Sequence, residues 1–394
     1  MTGSAAAGTL GAASDMSSTA RALTVSMFLG SFAWSFAFIS LPFYVQAISP
    51  HDPATTLRWA GWILGISSLV TVVTSPVWGR IGDRGDPRVQ YVWVQLFQGI
   101  AFMGMAIAHT LPQLLVARLV LGAMGAASTL AFIMAGRQDD PRHVRRDVAA
   151  VQLAMTLGQV LGPLGGAAVA ARLGFRLSFV MGGVILLGSA AFVHWGVRLP
   201  ATLERPRTAA AQVRPLHLLV PVALVLAVSN QLFFLTAVLP QVLPGLGVPM
   251  SGVVEVGGLV VFVSAVAAGL GALITPRLAA LLPERTLVAA LLVASGALMA
   301  TMALPTGAFG FAVVRFLQVL CAAPIFPLVV ARTAQQGSGG AIGVINSARI
   351  GGSFVGPVLA TSILSVSSPT ILYATLGLAS LACVPLALGR RGRR

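Results

Sequence analysis

Lysine is absent from the chain, cysteine occurs twice, and charged residues of every kind fill only 9% of its 394 positions. Each shortage excludes something. Soluble domains carry about a quarter charged residues, so a chain that is 57% hydrophobic with so few charges reads as an integral membrane protein. Cys321 and Cys383 both fall inside apolar runs and show no metal or disulfide spacing, so they read as small core residues and no metal site is expected. A multispan enzyme would need a set such as H-E-x-x-H, paired interfacial aspartates or a buried serine with histidine. None is found, and no cofactor is expected. Acids number 10 against 25 arginines, a formal net charge of +15. A nucleic-acid binder shows the same excess on a soluble basic face. Here most arginines lie in short segments between apolar runs, the pattern that orients membrane proteins.

A transmembrane helix needs about 20 mostly apolar residues. Runs of that kind, bounded by charge or by Pro and Gly clusters, lie at roughly 22–47, 58–79, 89–108, 111–135, 148–171, 175–197, 216–243, 250–274, 286–304, 307–331, 340–365 and 368–389. The expected fold is all-α with twelve transmembrane helices. Residues 1–21, rich in Ala, Gly, Ser and Thr and without a basic n-region, read as a disordered tail and not a signal peptide. With the N-terminus cytoplasmic, 19 of the 25 arginines fall in cytoplasmic segments, so both termini are expected inside, in the cell inner membrane.

The longest cytoplasmic connection, 198–215, splits the spans six and six, giving bundles at 22–197 and 216–389 and a basic tail at 390–394. The two halves repeat one another. Pro76, Arg118 and Gly162-Pro163 are followed by Pro276, Arg315 and Gly356-Pro357 at offsets of 200, 197 and 194 residues. Parallel halves of this kind place a substrate site at their interface near the bilayer midplane.

Four motifs carry a resemblance. Gly79 to Arg88, "GRIGDRGDPR", is similar to the signature loop G-x-L-A-D-R-x-G-R-[RK] of the major facilitator superfamily, with Asp86 and Pro87 departing from the pattern. Arg118 to Gly125 is similar to the R-x-x-x-G-x-x-G element of span four. Gly158, Gly162, Pro163, Gly165 and Gly166 match every specified position of G-x-x-x-G-P-x-x-G-G, the antiporter element of span five, and "FRLSF" at 175–179 is similar to the turn that opens span six. Over essentially its whole length the chain resembles that superfamily, and within it the twelve-span drug:proton antiporters. The resemblance implies two pseudo-symmetric six-helix bundles working by alternating access, as a monomer in the lipid bilayer with a small-molecule substrate and protons as ligands. It implies that Asp83, with Arg84 beside it, faces the start of span eleven near Ala341. It implies a coupling role for Arg118, whose other reading is an arginine that pairs with backbone carbonyls and braces the bundle, and a bent span five, carrying Gly158, Gly162, Pro163 and Gly166, that meets span eight as a pivot and seal, repeated more weakly at Gly356 and Pro357.

A charge within a span costs at least about 2.5 kcal/mol at the helix centre, so it is a functional candidate by default. Arg118, Arg315, Arg349 and Glu255 are the four. Glu255 is the one acid among them, placed near the outer end of span eight, where it is either a carboxylate withdrawn from water that takes up and releases a proton or an acid at the wet mouth that caps the helix start. Arg349 has no counterpart in the first half; it is placed either against an anionic substrate group or against Glu255. Phe43, Tyr44 and Gln46 of span one and Asn230, Gln231 and Phe234 of span seven are candidates for the substrate path or for interhelical packing. Three cations against one acid favour a neutral, zwitterionic or anionic substrate. The expected function is proton-coupled efflux of a small amphipathic drug or metabolite. The alternatives are import of a polar metabolite by a facilitator or symporter, and export of an anionic metabolite such as a metallophore.

Overall fold

In the computed structural model, residues 3–135, 141–197, 218–335 and 339–389 are described, with the side chains of 3–18, 83, 84, 141–145, 334, 335, 339, 340 and 342 left aside. Sixteen α-helices occur among the described residues: α1 Gly3–Ile48, α2 Pro53–Arg84, α3 Pro87–Ile107, α4 Leu111–Ala123, α5 Ala127–Ala135, α6 Pro141–Leu173, α7 Phe175–Gly196, α8 Leu219–Phe233, α9 Leu235–Gly245, α10 Val253–Leu281, α11 Glu284–Thr301, α12 Ala308–Ala322, α13 Ile325–Gln335, α14 Gly339–Leu364, α15 Pro369–Ala382 and α16 Val384–Leu388. They fall into the twelve segments read from the sequence, four of them broken: α4/α5, α8/α9, α12/α13 and α15/α16. Nine segments among the described residues are long and apolar enough to cross a membrane, ten if the bent pair α8/α9 is one span. The other two, α3 and α14, are diluted by polar side chains inside the run: Gln90, Gln95 and Gln98 in α3, and Asn346, Ser347 and Arg349 in α14. Helix α1 begins at Gly3, within the stretch read from sequence as a disordered tail; its alanine-rich composition has high helix propensity.

Helix starts follow local chemistry. Thr110 and Gln113 form a reciprocal capping box at α4. Asp52 caps α2, its Oδ1 accepting from the amides of Ala54 and Thr55, both at 3.0 Å. The Thr55 side chain, with those amides, holds the Asp52 carboxyl below its ordinary value of 3.8. A depressed carboxyl stabilises the cap above the unfolded value and loses that effect as pH falls through the folded one. An NMR titration of this carboxyl should therefore give a midpoint below 3.8, and Thr55→Val should move it upward; an unchanged midpoint in the variant would remove the hydroxyl from the account.

The two halves repeat in packing as well as in sequence. Helix α1 packs on α6 as α8 packs on α14, α3 on α7 as α11 on α15, and α2 on α4 as α10 on α12. The α3/α7 pair is held by Gly99 and Gly183, and a methyl group on either would lie 3.1 or 2.9 Å from the other's carbonyl oxygen. Gly296 and Gly377 repeat this between α11 and α15 at 3.0 and 2.7 Å.

Four buried apolar clusters organise the bundle, two in each half. Toward the face that carries the chain termini, one cluster (Leu23, Tyr91, Leu130, Val193) is built from the first half alone. Its counterpart (Val225, Leu292, Ile325, Ile345) is built from the second half alone. Toward the opposite face the clusters interlock: Ala237 of α9 joins the first-half cluster, and Ile39, Phe43 and Ala167 join the second-half cluster. Among the described residues, then, the cores fuse on the face away from the termini and stay separate on the terminal face.

Candidate substrate pathway between the halves

The glycine stripe of α6 faces its own half. A methyl at Gly158 would lie 2.6 Å from the Phe28 carbonyl oxygen, and one at Gly162 would lie 2.8 Å from the Phe32 carbonyl oxygen and 2.9 Å from the Phe36 amide nitrogen. One at Gly166 would collide with the Phe36 carbonyl. All three neighbours belong to α1. Spacing of four fixes which residues share a face and not which helix lies against it; the neighbouring backbone that the stripe admits is that of α1. Span five does meet span eight, through the adjacent face: Gly258 of α10 sits against Ala167 and 3.0 Å from the Pro163 carbonyl oxygen. Gly352 and Gly356 of α14 repeat the α6 stripe against Ser229 and Asn230 of α8. Pro357 offers its carbonyl oxygen to the other half, 3.0 Å from a methyl at Gly61 of α2. The glycines thus build rigid helix pairs within each half, and the prolines lie where the halves touch.

The contact between halves runs along α2/α14 and α6/α10. The Arg58 Nε donates to Ser365 Oγ at 3.0 Å, Trp62 meets Phe354 edge-on at 5.5 Å, and Phe43 lies 3.4 Å from a methyl position at Gly257. Glu255 stands in the first turn of α10, two residues before Gly257, and is exposed. The sequence leaves open a carboxylate withdrawn from water or one at a wet helix start; the structure has it at the N-terminal turn of α10.

Two of the three intramembrane arginines are anchored to backbone. Arg118, 2% exposed, donates from Nε to the Ile63 carbonyl at 2.9 Å and from Nη2 to that of Leu64 at 2.7 Å, between the rings of Trp34 and Phe38 at 5.7 and 5.6 Å. Arg315, equally buried, donates to the carbonyls of Gln231 and Leu232 at 2.8 and 2.9 Å and to Gln318 Oε1 at 2.7 Å. Neither has an acidic partner among the described residues. Arg349 differs: half-buried on α14, it has Nε 3.4 Å from Asn346 Oδ1 and its guanidinium carbon 5.0 Å from the centre of the Phe326 ring.

Of the path candidates, several are structural. The Tyr44 hydroxyl donates to the Ala108 carbonyl at 2.6 Å and accepts from Arg176 Nε at 3.1 Å. Gln231 is fully buried, donating to Ser380 Oγ at 2.6 Å and accepting from Gln318 Nε2 at 2.8 Å. Phe234 lies under the Arg315 guanidinium. Gln46 is half-exposed near the end of α1, Phe43 lies at the interlocked core, and Asn230 keeps a buried Oδ1 without a partner. The side chains of Asp83 and Arg84 lie outside the described residues. Of their loop, Asp86 caps α3 by accepting from the Arg88 amide at 2.9 Å, and Arg88 Nη1 donates to the Val197 carbonyl at 2.9 Å.

One polar cluster escaped the sequence reading. On α3, Gln95 donates to the Tyr91 hydroxyl at 2.8 Å, which pairs with Ser26 at 2.8 Å. Gln98 accepts from Trp34 Nε1 at 3.2 Å and donates to the Met124 carbonyl at 2.6 Å. Its signal was present as glutamines at helical spacing inside an apolar run. It ties α1 to α3 behind Arg118, as Gln231 and Gln318 tie α8 to α12.

Comparison with known proteins agrees with this architecture. A sequence model described as Major Facilitator Superfamily matches residues 23–265, more than half of the chain. The chain belongs to the major facilitator superfamily. Membership makes it a membrane transporter of small molecules and not an enzyme. Within the superfamily it is 26% identical over 360 residues to the multidrug resistance protein MdtG of Klebsiella pneumoniae (strain 342), covering 85% of this chain and 84% of that one. It is 28% identical over 163 residues to the uncharacterized MFS-type transporter YuxJ of Bacillus subtilis (strain 168), 41% of each chain. The crystal structure of the nucleoside transporter NupG superposes with a TM-score of 0.74 at 13% identity, covering 93% of this chain and 97% of that one, a likeness of fold alone.

Proposed function

We propose that the protein exports a small amphipathic molecule across the inner membrane in exchange for protons, with both termini cytoplasmic and the monomer as working unit. The observation that carries this reading is the unequal joining of the two cores: interlocked on the face away from the termini, separate on the terminal face. This is the arrangement of an alternating-access carrier open toward the side on which the termini lie. The arginine-rich segments support assigning that side to the cytoplasm. The span-five glycine element and the relation to a multidrug resistance protein support efflux over import.

In this reading Glu255 is the proton carrier. It is exposed to the outer solution in the present state and stands next to Gly257 and Gly258, where α10 seals against Phe43 and Ala167; neutralising it there changes the charge at the seal. Arg118 contributes by fixing α4 to the carbonyls of α2, the helix that carries Arg58 and Trp62 to the other half, so that the two helices move as one. The test is uptake into liposomes driven by an imposed pH gradient. Glu255→Gln should reduce gradient-driven transport at least tenfold while leaving gradient-independent exchange. Transport at the wild-type rate in that variant removes Glu255 as carrier, and dependence on sodium without response to pH overturns proton coupling.

A further inference from the structure

We infer that Arg349 is an anion-binding residue of the pathway, and that the molecule carried is an amphipathic organic acid. This rests on the transport reading above and specifies its substrate. The contrast among the three intramembrane arginines carries the argument. Arg118 and Arg315 direct their guanidinium groups onto backbone carbonyls. Arg349 uses only Nε, on Asn346. Among the described residues no hydrogen bond engages Nη1 or Nη2, and Arg349 is half-buried. These two nitrogens form the edge of a planar fork that matches a carboxylate or phosphate with two parallel hydrogen bonds.

The surroundings hold this fork in place. Phe326 on α13 covers one face of the guanidinium, which fixes its plane and leaves the edge free. Arg349 is ten residues past the start of α14, about 15 Å along the helix axis, so it is neither at a membrane face nor able to reach one without unstacking. It stands on the side where the two cores are separate, beside Ile345 and Ala348 of the second-half cluster. No described acid offers it a counter-charge: Asp52, Asp86, Glu255 and Glu284 stand at helix starts, and Asp147 lies on α6 of the other half.

A second group points to the same ligand. Gly356 is seven residues beyond Arg349, about two turns or 10 Å further along one face of α14, and it lies against the backbone of Asn230 on α8. The Asn230 Oδ1 is a buried acceptor without a donor. Fork and acceptor together suit a molecule with an anionic group at one end, an apolar body, and an N–H or O–H donor at the other.

Three indoles that share a ring and differ in one group test this: indole-3-acetate, indole-3-acetamide and tryptamine. Binding is read from the shift in melting temperature of the purified protein, and transport from pH-driven movement in liposomes. The expected result is at least tenfold tighter binding of the carboxylate than of the amide or the amine. Arg349→Gln should erase that ratio to within twofold, and Arg349→Lys, which keeps charge but not the fork, should give an intermediate ratio. A wild-type protein that binds amide or amine as well as the carboxylate overturns the inference, as does a preference that survives Arg349→Gln. Arg349-dependent carboxylate binding without pH-driven transport leaves the inference standing and sinks proton-coupled efflux. pH-driven export of tryptamine without carboxylate binding does the reverse.

Discussion

Leucine at Gly162 or Gly166 abolishes transport while leaving insertion into the membrane intact: this is the expected result of the close approach of α6 to α1. At Gly162 even a methyl group lies 2.6 Å from the Ser35 Cβ and under 3 Å from two backbone atoms of α1, and backbone cannot rotate away as a side-chain tip can. Overpacking by one or two methylenes costs about 1–3 kcal/mol in a tight core; four carbons against backbone must push the helices apart. The displaced helix carries Trp34 and Phe38, which bracket Arg118, and Phe43, which seals against α10, so the damage reaches both the anchor and the contact between halves. Leucine makes the span more apolar, not less, and insertion follows hydropathy. The measurement is efflux per inserted molecule, with melting in detergent expected to fall by roughly 5 °C or more. Gly165→Ala is the control: its methyl would meet the ring edges of Phe32 and Phe36 at 3.1 and 3.3 Å, atoms that can yield, so transport should persist. Coupled efflux at the normal rate in Gly162→Leu would refute the role assigned to the stripe.

The same stripe shows what a sequence can and cannot disclose. Spacing put Gly158, Gly162 and Gly166 on one face, and the repeat put Gly352 and Gly356 in register with them; both are properties of the chain by itself. The partner of that face is a property of the packed bundle, and it is α1, with α10 touching the neighbouring face at Ala167. Hydropathy likewise located twelve runs but is blind to backbone angles, so the breaks after Ala123, Phe233, Ala322 and Ala382 were invisible, although Gly125, Pro324 and Pro385 stand at or just beyond three of them. Arg118 and Arg315 were identifiable as charges within spans. Pairing with backbone carbonyls was one of the two readings open for Arg118; which carbonyls was not legible, because a backbone acceptor leaves no mark in the sequence. Glu255 was legible as an acid near the outer end of span eight; whether that first turn is wet depends on its depth, which composition does not give, so a withdrawn and a wet carboxylate both stayed open. The glutamines of α3 are legible as polar residues at helical spacing in an apolar run; their meaning comes from Tyr91 on the same helix and from Ser26 and Trp34, brought to them by α1.

Arg315→Leu should be the most destabilising of the arginine substitutions, ahead of Arg118→Leu, because the two anchors hold different kinds of carbonyl. Those of Ile63 and Leu64 lie within the unbroken α2, so each also has the amide four residues on, and Arg118 adds a second bond. Those of Gln231 and Leu232 lie where α8 gives way to α9 at a bend of 42°. There the backbone resumes with a tighter bond from the Ala237 amide to the Phe234 carbonyl at 3.3 Å, and Arg315 supplies donors to both freed oxygens. Removing it strands two carbonyls and Gln318 Oε1 in an apolar interior, where each unmet acceptor costs about 1–3 kcal/mol, and it uncovers the Phe234 ring that stacks beneath. The expected loss is about 3–5 kcal/mol, the lower part of the sum for three stranded neutral acceptors. Arg315→Lys should recover part of it, since one ammonium reaches a single carbonyl well but does not span the fork of acceptors. Melting of the two leucine variants in the same detergent decides the matter. If Arg118→Leu melts lower than Arg315→Leu, then the bend in span seven is held by its own packing and the guanidinium is incidental to it. If the order is as expected, the second half has its bent span pinned by one side chain, and Gln231, Gln318 and Ser380 become the network that keeps that side chain in place.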